Sequence, residues 1–395
     1  MVGQTFHPVG QGLFTSGFIT TCDSNPEFQW VYDCGTSNSQ KLIQRAVDGL
    51  AHGITNEELQ MVVLSHFDRD HINGLIILLD KFKIKLLILP YIPLTERLMQ
   101  AFADGVDSQS EEIGIYIDPI GAIRKLGEEG SIEQIVLVPP SNEAPTAELE
   151  GEPLLDGPDG LNIKKGTSCA DDNDAVDTYN VIWLEPNSRI TYRNTWEFVP
   201  YNDHCITRKN NQNFENQVME RADQLRTVAT DQARKEALKQ LRAIYDAEFG
   251  KTPFEKNVIS LFLYGGPIGL YQIDKCCPLF GWQYMKPSST RCGFLMTGDG
   301  YLDNETRLDA LTSFLEPHGR LAKVSTFQVM HHGSKRNWHR GVASTISPDH
   351  SIFCSNPRFK NYNHPNPEVV LDFNCYGPEQ VDENRGFSTF HLLSK

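Results

Sequence analysis

The chain has 395 residues, 39% hydrophobic and 22% charged, which is enough apolar side chain for a sizeable core and argues against global disorder. Its formal net charge of -15 creates no overall field that would draw in a polyanion, so any phosphate chemistry needs a local positive site. The nine cysteines are odd in number and contain no CxxC, which excludes a disulfide scaffold and leaves reduced thiols as the expectation.

In chain order, the N-terminal "MVGQTFHPVGQG" shows no basic stretch followed by an apolar one, so no signal peptide is expected. "GLFTSGFITTC" and "FQWVYDCG" read as strands, the second ending in Asp33-Cys34-Gly35. "SQKLIQRAVDGLAHG" reads as a helix, "LQMVVLSH" as a buried strand, and "HINGLIILLDKF" as a helix start. The apolar run "GLIILLDKFKIKLLILPYI" is broken by Asp80, Lys81, Lys83 and Lys85, leaving pieces too short for a membrane span of about 20 residues. A cytoplasmic protein without membrane contact is the resulting expectation. "IKLLILPYI" and "EQIVLVPP" are further strands, and strands alternating with helices predict a layered α/β fold.

From Ser141 to Asp177 the chain turns rich in Pro, Gly and acid and reads as a loop or flap. The "DDND" run from Asp171 lacks the glycine and distal glutamate of an EF-hand loop. Strands follow at "NVIWLEP" and "NTWEFVPYN". From Phe214 to Phe249 the apolar positions Val218, Leu225, Ala229, Ala233, Ala237, Leu241 and Ile244 predict one long helix or a pair, packed on the body or offered to a protein partner or second copy. Strand patterns resume at "NVISLFLYGG" and "CGFLMTGDG", then a helix at "LDALTSFLEPHG" and a strand at "KVSTFQVMHHGS". "HSIFCSN", "HPNPEVVLDF" and a final strand, "GFSTFHLL", complete the chain. The expected organisation is one domain over 1–395 with an insertion at 141–255.

Three strand ends carry the chemistry. His66, Asp68, Asp70 and His71 follow the strand "LQMVVLS", Asp299 follows "FLMTG", and His331 and His332 follow "STFQVM". Ligands gather at such strand ends in α/β folds. Histidine and carboxylate without thiolate suit Zn, Mn or Fe.

These blocks resemble the metallo-β-lactamase superfamily, whose hallmark is HxHxDH after a strand. Aspartate in its second position, here Asp68, is similar to one branch, the soluble hydrolase domain of the DNA-uptake protein ComEC and its relatives. Further blocks of that branch stand in order: "VGQG" at Val9 to Gly12, the Asp33-Cys34-Gly35 strand end, an Asn-x-x-Ser-Leu strand from Asn257, "TGD" ending at Asp299, "HHGS" from His331, and an Asn-x-x-His-Pro stretch from Asn361. The insertion lies outside this resemblance. The resemblance implies an αββα sandwich and two divalent ions, Zn or Mn. His66 and Asp68 would hold one ion, Asp70, His71 and His332 the other, with Asp299 bridging.

The catalytic set implied with them is Asp70, His331 as a phosphate contact or proton relay, and His364 as a ligand or general acid. Lys335 and Arg336 stand where a further phosphate could bind, or are plain loop charges. Asp68 in place of histidine hardens the ligand set towards Mn or Mg. The leading expectation is a metal-dependent phosphodiesterase or nuclease acting on DNA. Hydrolysis of a nucleotide-like or phosphocholine-like small molecule is the alternative, favoured by the acidic charge. A non-enzymatic metal-binding partner protein is the third reading.

Overall fold

The computed structural model describes residues 1–20, 28–54, 56–103, 105–108, 113–141, 160–166, 180–203, 212–226, 231–249, 260–269, 271–274, 291–358 and 363–394. Several expectations fall outside the described residues: most of the 141–177 flap, the "DDND" run, Asn257, Asn361, and the cysteines at 22, 169, 205, 276 and 277. The described Cys34, Cys292, Cys354 and Cys375 are free thiols.

Strand alternation drives the layering. In Phe28–Cys34, Trp30 and Tyr32 enter the core between the sheets, while Val31 and Cys34 pack beneath the outer helices. Met61 and Val63 of Glu58–Val63, and Leu86 and Ile88 of Lys83–Pro90, repeat the inward set. Val62, Leu87 and Leu89 repeat the outward set. Apolar residues on both faces are the mark of strands covered on both sides.

Among the described residues the first sheet has nine strands. Its centre runs Val2–Phe6, Phe14–Ile19, Phe28–Cys34, Glu58–Val63, Lys83–Pro90 and Ile132–Val138, parallel from Phe28–Cys34 onward. The second has eight, with Val324–Gln328 parallel to both Gly293–Met296 and His350–Cys354. Phe28 stacks on Phe198 at 5.3 Å and Trp30 on Phe294 at 4.6 Å, closing the sheets face to face. Helices Gln40–His52, Leu75–Leu79 and Pro119–Arg124 cover the first sheet. Glu305–Leu315, Val342–Ile346 and Pro367–Asp372 cover the second. The expected αββα sandwich is therefore the observed architecture. No helix among the described residues is long and apolar enough to cross a membrane.

The region 141–255 divides rather than forming one inserted body. Trp196–Asn202, buried throughout, pairs with Leu261–Pro267 inside the second sheet, and Val181–Trp183 joins the first. Its helical part is two helices, Gln212–Arg226 and Asp231–Phe249, with 227–230 outside the described residues. Their apolar faces, including Phe214, Val218, Leu238 and Leu241, are buried against Leu98, Phe102 and Tyr116 of the segment 94–117. Those faces are thus covered within the chain.

One polar group inside the fold has a large energetic role. Glu197 accepts from Arg320 Nε and Nη2 at 3.0 and 3.1 Å and from Arg189 Nη1 at 2.9 Å. Burial alone would raise its pKa, but the two guanidinium groups hold it below the usual carboxylate value. Arg320 is 1% exposed, so Arg320→Met leaves a buried carboxylate with only the more exposed Arg189. The expected cost is about 3 kcal/mol, the lower end for a broken buried pair. Urea unfolding measures it, and an unchanged midpoint overturns the assignment.

Candidate metal centre

The site is built where the strand Glu58–Val63 ends and the short helix Arg69–Ile72 begins. Gly35 makes the close approach possible: a Cβ there would lie 2.4 Å from the backbone at Asp70 and His71. Gly12, with φ +148, clears the same turn from the other side, where a Cβ would meet Asp70 O at 2.9 Å. The "VGQG" and "DCG" glycines thus give the ligand-bearing loop its space.

His331 and His332 have left-handed backbones, φ 44 and 58, as does Asp33 at φ 54. Such conformations cost about 1–3 kcal/mol each outside glycine and persist where the surroundings over-determine them. His331 N donates to Gly298 O at 3.0 Å, and the His332 imidazole is tied to Cys354 O at 2.6 Å. Both anchors join the "HHGS" turn to neighbouring strand ends.

The structure brings four of the expected imidazoles around one carboxylate. Asp299 Oδ1 lies 3.0 Å from His71 Nε2 and 3.6 Å from His332 Nε2. Asp299 Oδ2 lies 3.4 Å from His331 Nε2 and 3.9 Å from His66 Nε2. Asp70 Oδ2 is 3.3 Å from His332 Nε2. Asp68 Oδ2 is 3.8 Å from His66 Nε2, on the more open side. His364 stands further out, its ring centroid 5.6 Å from that of His331 and 6.4 Å from that of His332.

The imidazoles are aimed by their other nitrogens. His332 Nδ1 faces a carbonyl, which only accepts, so Nδ1 carries a proton and Nε2 is the nitrogen turned towards Asp70 and Asp299. His71 Nδ1 is 2.7 Å from Asp33 Oδ2, and Asp33 also accepts from Ser65 N and Ser65 Oγ at 2.7 and 2.6 Å. His66 Nδ1 lies 2.8 Å from Ser65 Oγ. Asp299 is steadied through its backbone, by Ser260 Oγ on its N–H and Asn337 Nδ2 on its carbonyl.

The electrostatics call for positive charge. Burial alone would push Asp299 and Asp70 upward, but the surrounding imidazoles hold both well below the ordinary carboxylate range. Burial opposes charge on His71, yet Asp299 and Asp33 on its two sides raise it well above the usual imidazole value. Burial, with His71 close by, lowers His66 to about 3. Burial and the neighbouring imidazoles lower His364 to about 4, which leaves it uncharged at neutral pH.

The Nε2 atoms of His66, His71 and His332 are buried without a hydrogen-bond partner, an arrangement that proteins ordinarily avoid. Two groupings have ligand atoms within 4.8 Å of one another: His66, His71 and Asp299, and Asp70, His71 and His332. Buried imidazole nitrogens beside carboxylate oxygens are the donor set of a divalent ion, so these residues fit one. The groupings differ from the implied ones: His71 belongs to both, Asp68 to neither, and Asp299 to the first alone.

Asp33, Ser65 and Tyr116 are members of the site that carry no assigned role at the level of sequence. The "DCG" strand end signals Asp33, whereas Tyr116, whose hydroxyl lies 3.5 Å from Asp68 Oδ1, has no such signal. Lys335 does not stand free for phosphate, because its ammonium pairs with Glu368. Arg336 is exposed on the same turn.

No family model matches the chain, and none of the curated proteins does. Solved structures similar to it include the metallo-β-lactamase fold protein YhfI from Bacillus subtilis, 9% identical over 98% of this chain and 99% of that one, with a TM-score of 0.39. Unliganded yeast PDE1 is 10% identical over 98% of both chains, with a TM-score of 0.38. MEM-A1, a subclass B3 metallo-β-lactamase isolated from a soil metagenome library, is 10% identical over 94% of this chain and 93% of that one, with a TM-score of 0.27. At these identities and scores, what the site can do is decided by its own side chains.

Proposed function

We propose that this chain is a metal-dependent hydrolase of phosphodiesters, with DNA as the expected substrate on the resemblance of its motif blocks to the ComEC hydrolase branch. The observation that carries the reading is Asp299, whose two oxygens face different histidines, His71 and His332 on one side and His66 and His331 on the other. Such a carboxylate suits bridging two ions. Two bound divalent ions would supply a water of lowered pKa and neutralise charge developing on the phosphoryl oxygens.

The chain's own residues do the rest. His66, His71, His332, Asp70 and Asp299 would hold the ions, with Asp68 on the open side. Zn and Mn both suit this mixed set, and Asp68 favours Mn relative to an all-histidine site. Burial keeps His331 and His364 largely uncharged, so each can donate a ring N–H hydrogen bond to a phosphate oxygen.

A small phosphodiester is the second reading. It is favoured by the net charge of -15 and by the pairing of Lys335 with Glu368, which leaves this turn one fewer cation for tracking a polyanion.

Purified protein with Mn or Zn is tested on plasmid DNA, linear DNA, RNA, cyclic dinucleotides and bis-p-nitrophenyl phosphate, beside an Asp70→Ala/His71→Ala control. Cleavage by the parent and not by the control is expected. Equal cleavage by both overturns the site. Metal binding without any hydrolysis favours the non-enzymatic reading.

A further inference from the structure

The ligand side chains are braced in two different ways. Ser65 steadies His66, Asp33 steadies His71, and the Cys354 carbonyl steadies His332. All three braces come from the two sheets or the loops at their ends. Asp68, whose side chain is 23% exposed, is reached by a brace from the helical layer. Tyr116 Oη donates to Asp68 Oδ1 at 3.5 Å, while Asp68 Oδ2 faces His66 Nε2 at 3.8 Å. The two oxygens thus have separate neighbours, one directed at the centre and one at the helices.

Tyr116 is itself firmly held. It is 4% exposed on the short helix Ile113–Ile117, in a cluster with Leu98, Phe102, Phe214 and Leu241. A buried tyrosine places its hydroxyl with the precision of its packed ring, and a carboxylate oxygen is a strong acceptor for it.

We propose that Tyr116 is a positioning residue for Asp68, and that through its hydroxyl the helices of 94–117 and 212–249 set metal affinity on the His66–Asp68 side. This rests on the metal-centre reading above. It also gives the helical layer a role at the site that is separate from contact with substrate. Outer partners that orient ligands tune metal affinity in this way. At 3.5 Å the bond is longer than the usual 2.7–2.8 Å, so the expected effect is moderate, about three- to tenfold in affinity.

Tyr116→Phe keeps the ring in its cluster and removes only the hydroxyl. Full-length parent and variant, stripped of metal, are titrated calorimetrically with Mn and with Zn. The variant is expected to keep both binding events and weaken one of them about three- to tenfold, with unchanged thermal unfolding of the metal-free chain. In an Asp68→Ala background, which has no side-chain acceptor for the hydroxyl, the same substitution is expected to add nothing. Identical affinities in parent and variant overturn the inference while leaving the metal centre standing. A loss that persists in the Asp68→Ala background also overturns it, since the hydroxyl then acts elsewhere than on residue 68. A parent chain that binds no metal overturns the centre and the inference together.

Discussion

Asp299→Asn is expected to lower bound metal below one ion per chain and to reduce kcat/KM on bis-p-nitrophenyl phosphate by about a thousandfold or more, with the fold intact. The magnitude follows from several kcal/mol of charge stabilisation at about 1.4 kcal/mol per tenfold. Asp299 is 2% exposed, and its two oxygens stand 3.0–3.9 Å from four imidazole nitrogens. An amide keeps the shape but removes the charge, and it turns one acceptor into a donor that cannot ligate. The His66–His71 grouping loses its carboxylate, and His331 and His332 lose the charge that faces them. Elemental analysis of the purified variant, with circular dichroism as the control for folding, gives the result. A variant that retains two ions and full activity removes Asp299 from the centre.

Much of this centre is legible in the sequence because strand ends announce it. An apolar strand that stops in Ser65-His66, Asp299 or His331-His332 places polar side chains at a sheet rim, where several strands deliver theirs together. The αββα layering is legible for the same reason, since strands apolar on both faces require cover on both sides. What is not legible depends on partners distant in sequence. The carbonyl of Cys354 leaves no trace in residue type, yet it sets the tautomer of His332. Tyr116 lies on a five-residue helix too short to show a period, and it reaches Asp68 across 48 positions. Lys335 reads as either a phosphate-facing or a plain loop charge, and its pairing with Glu368, 33 residues later, is not visible in the sequence. The region 141–255 reads as an insertion because its strands are short and separated by polar stretches, whereas Trp196–Asn202 belongs inside the second sheet.

Asp33→Asn is expected to weaken metal binding by 10- to 100-fold although residue 33 need touch no ion. In the parent, Asp33 Oδ1 accepts from Ser65 N, while Oδ2 accepts from Ser65 Oγ and faces His71 Nδ1 at 2.7 Å. An asparagine keeps one oxygen, and the Ser65 backbone N–H can be satisfied by nothing else at that position. The amide nitrogen is then directed at His71 Nδ1, donor against donor. The ring relieves this by moving its proton to Nε2, the atom that faces Asp299 Oδ1 at 3.0 Å and belongs to both ligand groupings. A protonated Nε2 cannot ligate, so a change in an outer hydrogen bond removes an inner ligand from both sets. Asp33→Glu separates charge from geometry, since it restores the carboxylate but misplaces it by one methylene beside a loop that already approaches Gly35 without room for a Cβ. Competition with a chromogenic chelator compares the three proteins. Affinities of Asp33→Asn within twofold of the parent would show that His71 does not depend on Asp33 for its tautomer.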